Sequence, residues 1–315
     1  MTTKSTILTC LLFFPGSGWA FQCSITNSPV LNFGVRDPFV GGNANTTTSL
    51  QWQCSRSLLE AILLPSDYKL CIYVNTDQDN STFPRNMIGA SAGPSIPFNV
   101  YSDAARTTVI QPTMNAVSQA VNFTGFFNSN DNGAVTVFGL APGPVPGNVV
   151  AEIHTATMLS SQLRLVRSFQ PCDFASGDPM TPYTLEATME IQDQCQFTAN
   201  DLDFGTQSTP LAQTDADTFI DVRCTNTTPF TVGLNEGSNF AAGSRRMSDG
   251  ANFVDYGLFQ NAARSTEWDN TSNRRSGTGL GTGSSIMMTV FGRIPADPTA
   301  VQGTYSDTVT VDIVF

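Results

Sequence analysis

Gly303-Thr-Tyr-Ser-Asp-Thr-Val-Thr-Val-Asp-Ile-Val-Phe315 closes the sequence, and its alternation decides the fold class. Val309, Val311, Ile313 and Phe315 share one side of an extended segment, while Thr308, Thr310 and Asp312 share the other. A period of two in β-branched residues marks a half-buried strand. Its apolar side requires a partner sheet. A sequence that stops on such a strand, without a polar tail, offers an edge beside which another chain can dock. Val309, Val311, Ile313 and Phe315 are therefore expected to form an assembly strand.

Composition agrees with a β-rich, exported chain. Residues 1–20 read as a secretory signal peptide: Lys4 supplies the basic start, residues 7–14 are mostly apolar, and Gly18-Trp-Ala20 offers a small-x-small cleavage site. Cys10 comes too early, after too short an apolar run, to be a lipidation cysteine. No later stretch reaches the roughly 18 uninterrupted apolar residues of a membrane helix. Setting Cys10 aside leaves Cys23, Cys54, Cys71, Cys172, Cys195 and Cys224. An even set in an exported chain implies disulfides, with fifteen pairings open to sequence alone. Charged residues make up 13% and the net charge is −11, so nucleic acid and anionic membranes have no electrostatic support as partners. Roughly 295 mature residues, rich in Gly and Pro and in short alternating runs, suggest two all-β domains.

The chain repeats itself. Cys23-Ser-Ile-Thr-Asn, followed by Leu31-Asn-Phe-Gly34, is echoed by Cys195-Gln-Phe-Thr-Ala-Asn and Leu202-Asp-Phe-Gly205. Each copy meets a second cysteine, in Trp52-Gln-Cys54 and Val222-Arg-Cys224. Asp103-Ala-Ala-Arg106 returns as Asn261-Ala-Ala-Arg264, and Thr136-Val-Phe-Gly139 as Thr289-Val-Phe-Gly292. Four blocks in one order indicate a tandem duplication. The equivalent pairs Cys23–Cys54 and Cys195–Cys224 should each tie a first strand to a second, leaving Cys71–Cys172 private to copy one. Strand-like runs cover residues 50–54, 68–74, 97–101, 106–111 and 133–140, then 218–224, 231–235, 255–259, 264–268, 284–292 and 305–315. Such spacing fits two tandem immunoglobulin-like β-sandwiches. The boundary falls near residues 192–194: signal peptide 1–20, first sandwich 21–191, second sandwich 192–315.

These blocks, with Thr289-Val-Phe-Gly-Arg-Ile-Pro295 and Gly303-Thr-Tyr-Ser-Asp-Thr-Val-Thr-Val311, resemble the spore coat protein U domain, the subunit of archaic chaperone–usher pili. Copy two matches over essentially all of residues 195–315. Copy one carries an insertion after Cys54, the extra cysteine pair and a long tail after Phe138, and so is similar to the first domain of a two-domain tip adhesin. The resemblance implies that copy two is an incomplete pilin fold, finished by a donor strand. A periplasmic pilus chaperone would supply that strand first, an adjacent pilin subunit later, with export through an outer-membrane usher to the pilus tip. Residues 183–191 occupy the place of a pilin's donor segment but are tethered behind copy one, and we expect them to pair with copy one in cis.

Enzymatic readings find little to work with. His154 is the only histidine, which excludes the usual triads and zinc sites. Gly277-Thr-Gly-Leu-Gly-Thr-Gly283 lacks the Lys-Ser/Thr of a phosphate loop. Asp201, Asp203, Asp215 and Asp217 lack calcium-loop spacing and read as exposed turn acids. No cofactor is expected. Adhesion requires a surface instead. Topology suggests that residues 55–65, 140–147 and 102–105 lie together at the end of copy one far from copy two. Leu58, Leu59, Ile62, Leu63 and Leu64 in the first loop, with Leu140 and Val145 in the second, would then form an apolar patch binding hydrophobic or host surfaces and supporting attachment and biofilm. Two bland readings stand beside it: the helical spacing of Leu58, Leu59, Ile62 and Leu63 also suits a cap with buried leucines, and Phe126 and Phe127 suit packing on a sheet. Trp52 and Trp268 are expected in the cores. Alternatives are a carbohydrate-binding lectin and a purely structural pilus or coat subunit.

Overall fold

The computed structural model describes residues 21–77, 83–123 and 129–315. The signal-peptide reading and Phe126 and Phe127 lie outside those residues. Copy one comprises β1 (Gln22–Ile25), β2 (Val30–Arg36), β3 (Ala44–Ser55), α1 (Leu58–Leu63), β4 (Asp67–Ile72), β5 (Arg85–Met87), β6 (Ile96–Tyr101), β7 (Val117–Asn122), β8 (Asn130–Ala141), β9 (Ile153–Ser161), β10 (Leu163–Arg167), β11 (Asp178–Pro179) and β12 (Tyr183–Ile191). Copy two comprises β13 (Cys195–Ala199), β14 (Thr214–Cys224), β15 (Pro229–Leu234), β16 (Arg245–Ser248), β17 (Phe253–Phe259), β18 (Arg275–Thr278), β19 (Ile286–Ile294) and β20 (Val311–Val314).

The duplication holds strand for strand in the five-stranded sheet. One sheet runs β1-β3-β8-β6-β5 in copy one and β13-β14-β19-β17-β16 in copy two. The facing sheets run β11-β10-β4-β7 and β18-β15-β20. Both copies are immunoglobulin-like sandwiches, since alternating side chains of each sheet meet in a core. In copy one Leu50, Trp52, Leu70, Ile72, Phe98 and Val137 are buried together; in copy two Ile220, Val222, Phe230, Val232, Trp268 and Val290 are. Cys23 and Cys54 are register partners and bonded, as are Cys195 and Cys224, so each bond pins β1 to β3 or β13 to β14. Cys71 and Cys172 are bonded across a separation of 101 residues.

A buried arginine recurs as well. Arg85 donates to the carbonyls of Asn75, Val74 and Ile110, and Arg245 to those of Asn235, Leu234 and Trp268. Burial lowers the Arg85 guanidinium to about 10. Each arginine supplies donors to carbonyls where the chain leaves a strand, which buried backbone requires.

Two expected strands are not strands. Residues 106–111 and 264–268 touch the sheet through isolated bridges, Tyr101↔Val109 and Phe259↔Glu267. Arg106 and Arg264 open these segments with φ of 57° and 53°, a left-handed turn that ends extended pairing. Each then folds its guanidinium back onto a sheet carbonyl, of Gly139 or Gly292, at 3.0 Å.

Candidate functional site

A third sheet exists in copy one and has no counterpart in copy two. It runs β2-β12-β9. β12 lies parallel to β2 and antiparallel to β9, with Ala187 opposite both Leu31 and Ala156. Its sequence alternates so that Leu185, Ala187, Met189 and Ile191 are buried while Thr184, Glu186 and Glu190 face outward. β9 then passes into β10, which pairs with β4. Residues 183–191 thus complete copy one within the chain.

In copy two the flanks of that strand are present, and among the described residues no strand lies between them. Leu202-Asp-Phe-Gly205 stands where β2 stands, and residues 305–310 stand where β9 stands, leading into β20 as β9 leads into β10. Neither flank is in a ladder, although Ser306 makes a bridge to Ser248 as Thr155 does to Ile88. Between them lie two adjoining cavities of ≈ 340 and ≈ 430 Å³ that share Leu202, Phe204, Met247 and Tyr305. Leu234, Leu258, Val290, Val309 and Val311 line the first. Phe197 sits opposite the fully buried Val222 yet is itself 39% exposed, since no strand among the described residues covers it.

The expected assembly strand is shorter than its alternation suggests. Val311–Val314 pairs with β15, but residues 305–310 do not form a ladder, since a strand needs a partner along its length. Val309, Val311 and Ile313 pack partly buried against the core, and Phe315 is half exposed. Polar contacts hold this wall in an extended line. Asn235 accepts from Thr310 N at 2.7 Å, and Asp307 accepts from Ser238 N and from the Tyr256 hydroxyl, the latter at 2.6 Å. Burial and the bond to Asp307 push the Tyr256 hydroxyl pKa up. Gly237, with φ of 80°, passes so close that a Cβ would sit 2.1 Å from an Asp307 oxygen. Its left-handed φ favours glycine at that crossing. The groove is thus walled by segments held in place, and among the described residues no strand fills it.

The second candidate surface lies at the other end of copy one. α1 is inside out: Leu58, Leu59, Ile62 and Leu63 are 62%, 69%, 62% and 59% exposed, whereas Glu60 is 1% exposed. Leu64 is half-buried. Ser57 and Glu60 form a reciprocal capping box, which fixes where the helix starts. Full burial of four such aliphatic side chains would contribute roughly 1.5–3 kcal/mol each. The fold forgoes that and keeps the patch in water. The buried-leucine cap is thus not what forms. Phe169, in the turn after β10, is 83% exposed. It lies near the same end, since Ser168 donates to Asp67 at 2.5 Å and Asp67 starts β4 just past the α1 loop. Sequence reasoning missed Phe169, for which the one signal is a large aromatic in a polar turn.

The three loops expected together are split between opposite ends. β3 and β8 are antiparallel over their whole length, with Ser55↔Asn130 at one end and Ala44↔Ala141 at the other. At about 3.4 Å per residue those ends stand roughly 37 Å apart. The loop after β3 is far from copy two, but the loop after β8 meets it: Gly147 O accepts from Thr282 N at 2.6 Å and Asn148 O from Asn226 at 2.9 Å. The 102–105 turn lies at that joint end too, because Arg106 reaches Thr46 and Gly139. Val145 is 8% exposed and belongs to the copy-one core, and Leu140 is half-buried on β8. Neither can join a distal patch.

Among the described residues no group of side chains is arranged to hold a metal ion, and no helix is long and apolar enough to cross a membrane. A family model for the Spore Coat Protein U domain matches residues 18–158 and again 181–312. Protein U of Myxococcus xanthus is 35% identical over 107 residues, covering 30% of this chain and 58% of that relative. The chain thus spans less than two thirds of that curated relative's length. Among solved structures, the complex of CsuC with the tip adhesion subunit CsuE, a chaperone–subunit pre-assembly complex from archaic chaperone-usher Csu pili of Acinetobacter baumannii, superimposes with a TM-score of 0.52. It covers 93% of this chain and 100% of its own at 18% identity, a likeness of fold.

Proposed function

Because the chain belongs to the Spore Coat Protein U domain family, we propose that it is the adhesive end subunit of an archaic chaperone–usher pilus. The observation that carries this reading is the empty strand position of copy two beside the filled one of copy one. A sandwich short of one strand exposes an apolar groove and unpaired backbone, and β-augmentation by another chain relieves both. The donor is first a periplasmic chaperone and then the adjacent pilin, with passage through an outer-membrane usher to the cell surface. In this reading 21–191 is the contacting domain and 192–315 the assembling domain, a division that the same contrast supports.

Contact with the target falls to the far end of copy one, where Leu58, Leu59, Ile62 and Leu63 stand exposed with Phe169 nearby. An aliphatic patch has no directional donors or acceptors for a sugar, so it favours an apolar surface over a glycan. The decisive experiment expresses the full chain with and without the chaperone of its own assembly system. We expect a stable one-to-one complex with it, and degradation or aggregation without it. A full chain that purifies alone, with copy two melting cooperatively, refutes the proposal.

A further inference from the structure

An aliphatic helix packed on a sandwich ordinarily turns its leucines inward, so something must hold α1 the other way. Two ionisable side chains here are buried instead, Arg56 just before the helix and Glu60 within it, 5% and 1% exposed. Arg56 donates from Nη1 to Pro65 O at 3.0 Å and from Nη2 to Phe123 O at 3.3 Å, and its guanidinium stacks 4.7 Å from the Phe123 ring centroid. Its backbone N–H donates to Ser129 O at 2.7 Å. One side chain thus ties the exit of the α1 loop to the neighbouring 123 segment. Glu60 accepts from Ser57 N at 2.7 Å and holds the entry. Among the described residues Arg56 Nε and Glu60 Oε1 have no hydrogen-bond partner, so each buried group is only partly satisfied where it lies.

We propose that Arg56 and Glu60 are positioning residues that form a polar foot under α1 and keep its aliphatic face turned toward an apolar surface. The inference rests on the apolar-contact reading above. A polar inward face cannot exchange places with the leucines unless the Pro65 and Phe123 carbonyls lose their donor and Glu60 leaves its cap. The foot thus orients side chains it does not itself place at the contact.

The test uses the full chain as secreted by its own cells, with retention on octyl-derivatised beads and copy-one melting followed at Trp52. Leu59→Ser combined with Ile62→Ser serves as the comparator. Arg56→Met and Glu60→Ala are each expected to lower retention about tenfold, as the comparator does. Amide exchange across residues 58–64 should quicken while copy one still melts cooperatively. Glu60→Gln, which keeps the acceptor for Ser57 N–H, should restore retention. If both foot variants bind as wild type while the comparator does not, the foot is refuted and the apolar-contact reading stands. If the comparator binds as wild type, that reading fails and the inference falls with it. If Arg56→Met unfolds copy one, the Glu60→Ala and Glu60→Gln pair decides alone, and loss of retention in proportion to loss of stability in both overturns the proposal.

Discussion

Replacing Leu185 with Ala should unfold copy one at a markedly lower temperature and leave copy two untouched. Leu185 is fully buried in β12, between strands that are far from it in sequence. Truncating a buried leucine removes its transfer energy and leaves a cavity, a cost of about 2–5 kcal/mol. For a domain of about 170 residues, each kcal/mol moves the midpoint by about 2–4 °C, so the expected drop is about 4–20 °C. The two copies can be read separately, because Trp52 lies in one core and Trp268 in the other. With the chaperone-bound chain as the sample, a Trp268→Phe background makes the fluorescence transition report copy one, and a Trp52→Phe background makes it report copy two. Glu186→Ala, on the outward face of the same strand, is the control and should move the midpoint by no more than about 0.5 kcal/mol allows. An unchanged Trp52 transition in Leu185→Ala would mean that β12 does not complete copy one. A shift in the Trp268 transition instead would mean that it serves copy two, and would equally refute the reasoning.

Appending a second copy of residues 183–191 after Phe315 through a flexible linker should give copy two a cooperative Trp268 transition and abolish chaperone dependence; a non-cooperative melt would show that the groove does not take such a strand. Val145→Ser should destabilise copy one by about 1–3 kcal/mol without a specific loss of surface retention, since Val145 is a core residue at the joint. Replacing Cys71 and Cys172 together by Ser should lower copy-one stability by up to about 4–5 kcal/mol, the loop-entropy value for a 101-residue closure, with copy two unchanged. His154 is buried with Nδ1 at 3.1 Å from Glu152 O, and burial holds its pKa below the usual 6.5. The unfolded chain therefore takes up the proton first: the contribution is complete above pH 6.5 and is lost as pH falls from there toward the depressed folded value. The Trp52 midpoint should decline between pH 7.5 and 5, and His154→Met should flatten that decline.

The duplication was legible because its markers are chemically constrained: cysteines that must pair, the Ala-Ala-Arg turn, and the glycine of Thr-Val-Phe-Gly. The helical spacing of Leu58, Leu59, Ile62 and Leu63 was legible too, but not its facing. Leucines at that spacing ordinarily turn inward, and the decision rests with Arg56, whose partners Pro65 and Phe123 lie 9 and 67 residues away. The terminal alternation announced a strand, but residues 305–310 do not form a ladder because the partner it asks for is not in copy two. The loop placement failed because which end of β3 and β8 a loop leaves from depends on strand direction, and no residue in residues 140–147 encodes that.

The way residues 183–191 are used also sets the valence of the chain. In polymer terms, on the proposed assembly copy two is a reactive end, whereas residues 183–191 are already consumed inside copy one. A unit that spends this segment internally would not pass it on to a neighbour. Under that proposal each such unit marks one fibre end, so their number counts the fibres rather than their length.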